Sequence, residues 1–277
     1  MRRFPQFTVV SMISSAVLTG MIIVPLGADA QPVNLGPTPY TSLADSPFDT
    51  TKLGFCVEDF ENGTFDVPGA EANGSPIGPG GNTDSVDGDD GAIDGSGSSG
   101  RSQFSGNGPA GISITFDVDR THGLPTEVGL VWTDGGHNTA VTFEAFGPNG
   151  VVLAGPNGPN AHADASNGGE TAEDRFYGAT NPGGISSLII SHTGGGIEVD
   201  HIQLNRCILC GDASLNLEVT SSDALFSLLV AIGLESCELC ICDANGDGAI
   251  TSSDALAILR AAVGTGPQML CPPCDLD

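Results

Sequence analysis

Basic residues are scarce in this sequence. Lys and Arg number 8 together against 34 Asp and Glu, for a net charge of −26. A surface that acidic repels phosphate backbones and anionic headgroups, which argues against nucleic acid and anionic membranes as partners. Aromatic residues make up only 5% of the chain, while Gly reaches 40. That balance points to turns and strands in the main domain, with little helix. Catalytic signatures are missing too: there is no G-x-S-x-G, no H-E-x-x-H and no phosphate loop. Beyond the first thirty residues, no stretch is long and apolar enough to span a bilayer.

Residues 1–30 read as a secretory signal. Arg2 and Arg3 form a charged start, residues 8–26 are mostly apolar, and Ala28-Asp29-Ala30 resembles a cleavage site. The mature chain is expected to begin near Gln31 and to be secreted or held at the cell surface, with no membrane segment left. Removal takes away two Arg and one Asp, leaving a net charge of −27.

Eight cysteines follow, an even number in an oxidising compartment, so disulfides are the expectation. Cys56 stands alone. The others cluster as Cys207 with Cys210, Cys237 with Cys240 and Cys242, and Cys271 with Cys274. Nearby C-x-x-C pairs are also a zinc pattern, which secretion disfavours. Spacing alone leaves all 105 pairings open. Cys56 and Cys207 flank the first and last predicted strands, so a bridge there would clamp the domain if those strands pair.

Residues 31–51 are Pro-rich and read as a leader. Residues 52–206 carry short β-branched or alternating runs separated by Gly, Asn and Pro: 54–60, 111–118, 127–133, 140–146, 151–154, 175–177, 185–192 and 197–204. These predict an antiparallel β-sandwich, jelly-roll-like, with long Gly- and Asp-rich loops over 69–108. The acidic run 84–91 falls out of register with known calcium loops and reads as solvated. The last run loosely resembles the closing strand of carbohydrate-binding jelly rolls. In those, acidic residues of the terminal strands share a calcium; here they would be Glu58, Asp59 and Asp200, against the plainer expectation of a solvated edge. Glu144, Glu170, Glu173, Asp174 and Asp134 are available to a glycosidase, but their spacing selects no pair. Trp132, Phe176 and Tyr177 would make a sugar platform if exposed, and core if not.

The C-terminal region, 207–277, carries the sharpest pattern. Asp243, Asn245, Asp247, the carbonyl of Ala249 and Asp254 stand at positions 1, 3, 5, 7 and 12 of a calcium loop, with Gly248 at position 6. Calcium is a hard cation that takes six to eight oxygens, and this spacing supplies them. Ile250 at position 8 is expected to point inward. Asp254 replaces the commoner Glu and reaches less far. The pattern recurs 31 residues earlier with Asp212, Ser214, Asn216 and Asp223. That copy is poorer in carboxylates and has Leu217 where Gly belongs. A helix is expected after each loop, capped by Thr or Ser, with Asp223 or Asp254 in its first turn and Gly233 or Gly264 at its end. Leu225, Leu228, Leu229 and Ile232 form one apolar stripe; Leu256, Leu259 and Val263 form the other. No helix is expected before either loop.

Two loop–helix units about 31 residues apart resemble a dockerin type I module over roughly 210–264. The resemblance implies bound Ca2+ in each half and docking on a cohesin-like domain of a scaffold or surface protein. It also implies recognition through the hydroxyl pairs Ser221 and Ser222, and Ser252 and Ser253, with Arg260 as the basic contact. The cysteine content departs from that family and points to a disulfide-stapled variant. The expected function is that of a secreted, non-catalytic calcium-binding protein whose tail tethers a β-sandwich, with polysaccharide as the sandwich's candidate ligand. The alternatives are a dockerin-bearing O-glycosyl hydrolase of polysaccharide breakdown and a calcium-rigidified matrix protein.

Overall fold

The computed structural model describes residues 30–86, 97–117, 123–135, 140–162, 174–266, 268–272 and 274. Residues 1–29 of the expected signal, most of the acidic run 84–91, and Glu170 and Glu173 lie outside the described residues.

Among the described residues, twelve strands form two antiparallel sheets. The first holds β1 (Val33–Pro39), β10 (Arg175–Thr180), β7 (Glu127–Asp134), β12 (Ile197–Leu204), β5 (Ser102–Ser105) and β4 (Ser75–Ile77) in that order. β2 (Cys56–Glu58) also pairs with β12. The second runs β3 (Ala70–Ala72), β6 (Ile112–Phe116), β11 (Ser187–His192), β8 (Ala140–Phe146) and β9 (Asn157–Ala161). From β5 onward the orders are 5-12-7-10 and 6-11-8-9, the double Greek key of a jelly roll.

Alternation explains the packing. On β8, Val141, Phe143 and Ala145 point inward between half-buried neighbours. They meet Ile112 and Ile114 of β6 and Leu188 and Ile190 of β11. Val128, Leu130, Trp132, Tyr177 and Val199 of the opposite sheet close the core.

Two departures have clear causes. The 31–51 leader is part of the sandwich: β1 pairs along β10, and Tyr40 and Phe48 bury against Val131 and Phe176. Proline is tolerated there because β1 is an edge strand. β12 is no solvated edge. It pairs on both sides, and every residue in it is buried, because segments 40–48 and 83–86 cover its outer face. The expected strand at 151–154 is reduced to one bridge, Phe146 with Val152.

The C-terminal region contains α1 (Ser221–Ala231), α2 (Leu239–Cys242) and α3 (Ser252–Ala262). Thr220 and Thr251 cap α1 and α3 as capping boxes with Asp223 and Asp254. Gly233 and Gly264 follow in the left-handed conformation. The four-residue α2 stands before the second loop, where no helix was expected. All eight cysteines are bridged: Cys56–Cys207, Cys210–Cys271, Cys237–Cys242 and Cys240–Cys274. No thiol remains for zinc, and no C-x-x-C pair closes on itself. Four disulfides are consistent with an extracellular protein. Among the described residues no helix is long and apolar enough to cross a membrane.

Candidate metal centre and docking face

The two loops share one hydrogen-bond plan. In the second, Asp243 Oδ1 accepts from the Gly246 and Asp247 N–H groups at 2.9 and 3.1 Å, and Oδ2 from Gly248 N–H at 2.8 Å. In the first, Asp212 Oδ1 accepts from Asn216 N–H at 3.1 Å and Oδ2 from Leu217 N–H at 2.7 Å. The far ends also match. Asp254 takes the Asn245 N–H together with the N–H and hydroxyl of Thr251. Asp223 takes the Ser214 N–H together with the N–H and hydroxyl of Thr220. Asn245 and Asn216 accept from Asp247 and Glu218 N–H, and Asp247 accepts from Ala249 N–H.

Asp212, Asp223, Asp243 and Asp254 are all buried, while Ser214, Asn216, Asn245, Asp247 and Ala249 line the exposed rim. Burial pushes the Asp212 carboxyl up, the Asp223 charge adds to that, and the backbone donors only partly offset it. Burial raises Asp223 as well, but donors from Thr220 and Ser214 outweigh it and hold that carboxyl low. Among the described residues no group of three or more His, Cys, Asp or Glu converges as a metal cluster. Each loop instead combines two buried carboxylates with amide, hydroxyl and carbonyl oxygens. An all-oxygen donor set of that kind fits a hard cation better than zinc or copper. Ile250 packs inward on the cysteine-rich core beside Ile208 and Ile241, as its position in the loop predicted.

A C-terminal strap crosses both loops. Leu270 donates to the Ala244 carbonyl, and its own carbonyl lies 2.6 Å from where a Cβ on Gly246 would stand. Met269 fills the small core of Ala224, Ala244 and Ile258 and touches Gly211. Cys271 and Cys274 tie the strap to Cys210 and Cys240.

The expected apolar stripes face outward, except that Leu229 is half-buried. α1 and α3 turn Ala224 and Ser227, and Ala255 and Ile258, inward; the small Ala224, Ser227 and Ala255 leave room for Ile258 between the helices. Leu225, Leu228 and Ile232 are left 59, 40 and 63% exposed, and Leu256, Leu259 and Val263 are 47, 41 and 62% exposed. Ser221, Ser222, Ser252, Ser253 and Arg260 are exposed near them.

The sandwich offers less. Trp132, Phe176 and Tyr177 are fully buried, so they form core and no sugar platform. Glu58 serves its own turn, accepting from Phe60 and Asp66 N–H; Asp59 is exposed; Asp200 holds Val86 N–H and Ser85. These three are not brought into one site. The sequence missed the role of β12's acids: Glu198 accepts from Asp84 N–H and Ser102 Oγ, so the two carboxylates pin loop 84–86 over the sheet. Burial, with Asp134 adding, pushes Glu198 up to about 7. Glu144 sits on the other sheet from Asp134, and Asp174 lies just before β10 of Asp134's sheet. A depression of about 370 Å³ beside Arg206 carries one carboxylate, Glu127, and so no glycosidase pair.

No family model matches the chain, and no curated protein matches it. One solved structure, the enzymatically active domain of bacteriophage CBA120 tailspike protein 4, is similar to 53% of this chain at 13% identity and a TM-score of 0.28. This chain spans 20% of that chain's length, and a likeness this low carries no argument about fold or function.

Proposed function

We propose that this is a secreted, non-catalytic protein in which a dockerin-like, calcium-binding tail tethers a jelly-roll domain to a cohesin-like partner. The observation that carries the reading is the repeated hydrogen-bond plan of the two loops, which orients Asp212 and Asp223, and Asp243 and Asp254, alike. The second loop would hold Ca2+ through Asp243, Asn245, Asp247, the Ala249 carbonyl and Asp254. The first would use Asp212, Ser214, Asn216 and Asp223 and bind more weakly, having fewer carboxylates. Calcium supplies charge neutralisation and rigidity, so that the chain's own residues present one fixed surface.

That surface supports the docking half. Leu225 and Leu228 on α1, with Ile232 at its C-terminal cap, correspond, 31 residues on, to Leu256 and Leu259 on α3, with Val263 at its cap. Exposed apolar side chains repeated in this way, each set beside a serine pair, suit a protein interface better than solvent.

The test is calorimetric titration of the oxidised chain with calcium, then with a cohesin domain, using Asp243→Ala with Asp254→Ala as control. Micromolar or tighter calcium binding that the double variant loses would support the reading. Absence of binding below millimolar calcium would sink it.

A further inference from the structure

Leu217 sits in a left-handed backbone conformation, at φ +67°. Leucine avoids that region, and strain of this kind persists where surrounding structure over-determines the residue. Two contacts do so here. The Leu217 N–H is held by Asp212 Oδ2 at 2.7 Å. Its half-buried side chain packs against the main core cluster of the sandwich. Among the described residues no other beyond Cys207 joins that core. Its neighbour Leu215 has a similar φ, +58°, but is half exposed and plugs nothing.

The connection is reinforced at the chain crossing. Cys207 is bridged to Cys56 and donates its N–H to the Gly54 carbonyl at 2.8 Å. The next residue, Ile208, belongs to the module's own core and lies so close to Gly54 that an added Cβ would meet it at 2.8 Å.

We infer that the first loop is the joint between the two units. The seated Leu217 makes sandwich and module unfold as one, and any cation that tightens the loop also stabilises the sandwich. The cation half rests on the calcium reading above; the joint does not.

Trp132 is the single tryptophan and lies buried in the sandwich core, so its fluorescence reports that unit. Ellipticity at 222 nm reports chiefly α1 and α3. Thermal unfolding of the oxidised full chain is followed by both signals, with and without millimolar calcium chloride. In the wild type the transitions should coincide, and calcium should raise both by about 3 °C or more. Leu217→Gly and Leu217→Asn tolerate the backbone conformation but remove the plug. They should split the transitions by about 5 °C or more and confine the calcium shift to ellipticity. Leu215→Gly should leave them together. Separate transitions in the wild type, or Leu217 variants that still unfold as one, would overturn the joint. Coincident wild-type transitions that ignore calcium would refute the cation half and the calcium reading while leaving the joint standing.

Discussion

Leu217 and Gly248 stand at the same step of two loops 31 residues apart, with φ of +67° and +88°. The repeat has kept a backbone shape through a change of residue. In the second loop the glycine is needed for conformation alone, since a Cβ on Gly248 would meet nothing within 4 Å. Gly248→Ala should therefore cost only left-handed strain, about 1–2 kcal/mol. Gly246→Ala adds collision with the Leu270 carbonyl and should cost about 3 kcal/mol. Urea unfolding followed at 222 nm compares the two. Equal costs would mean that the strap does not press on the loop.

The outward leucines separate stability from docking. Leu225→Ser and Leu256→Ser remove exposed side chains and should change stability by no more than about 0.5 kcal/mol. Ile258→Ala empties a fully buried site between the helices and should cost about 2–4 kcal/mol. With a cohesin domain in hand, the leucine variants should lose binding at unchanged fold. Leucine variants that unfold the module would instead identify those residues as core.

Much of this architecture was legible in the sequence. Alternation located β8 and β12, and Thr220, Thr251, Asp223 and Asp254 announced the helix starts. What stayed hidden depends on long-range neighbours. β1 looked like a leader because its prolines hide an edge strand. Glu198, Asp200 and Gln203 looked solvated because nothing local shows that segments 40–48 and 83–86 cover them. Leucine spacing correctly gave one face of each helix, but periodicity does not say whether that face meets the protein or solvent. At the loops, Leu217 looked like a lost glycine until its packing against the sandwich core was visible.

Glu198 makes the sandwich sensitive to pH. Its carboxyl is raised by burial to about 7, above the ordinary 4.5. The folded state thus holds a proton that the unfolded chain has released. The stabilisation is complete below about pH 4.5 and is lost as pH rises through about 7. The amount at stake is on the order of 1–3 kcal/mol. Glu198→Gln keeps an acceptor for Asp84 N–H and Ser102 and carries no charge. It should flatten the fall in stability between pH 5 and 8, read by Trp132 fluorescence in urea. A slope identical to the wild type's would assign the dependence to other groups.

The strap's covalent hold gives the last prediction. Cys210–Cys271 closes a stretch of 61 residues, but Cys240–Cys274 already ties the same strap. With that second bridge intact, the ring that Cys210–Cys271 closes runs from 210 to 240 and back through 274 to 271, about half as long. Chain-entropy reasoning then gives about 3–4 kcal/mol for the bridge. Cys210→Ser with Cys271→Ser should lower stability by about that much. It should also expose Met269 and Leu270 to proteolysis, since both would leave the face of the loops. If the module's helices instead keep their full stability, the strap is a passenger, and Ala224, Ala244 and Ile258 hold the module without it.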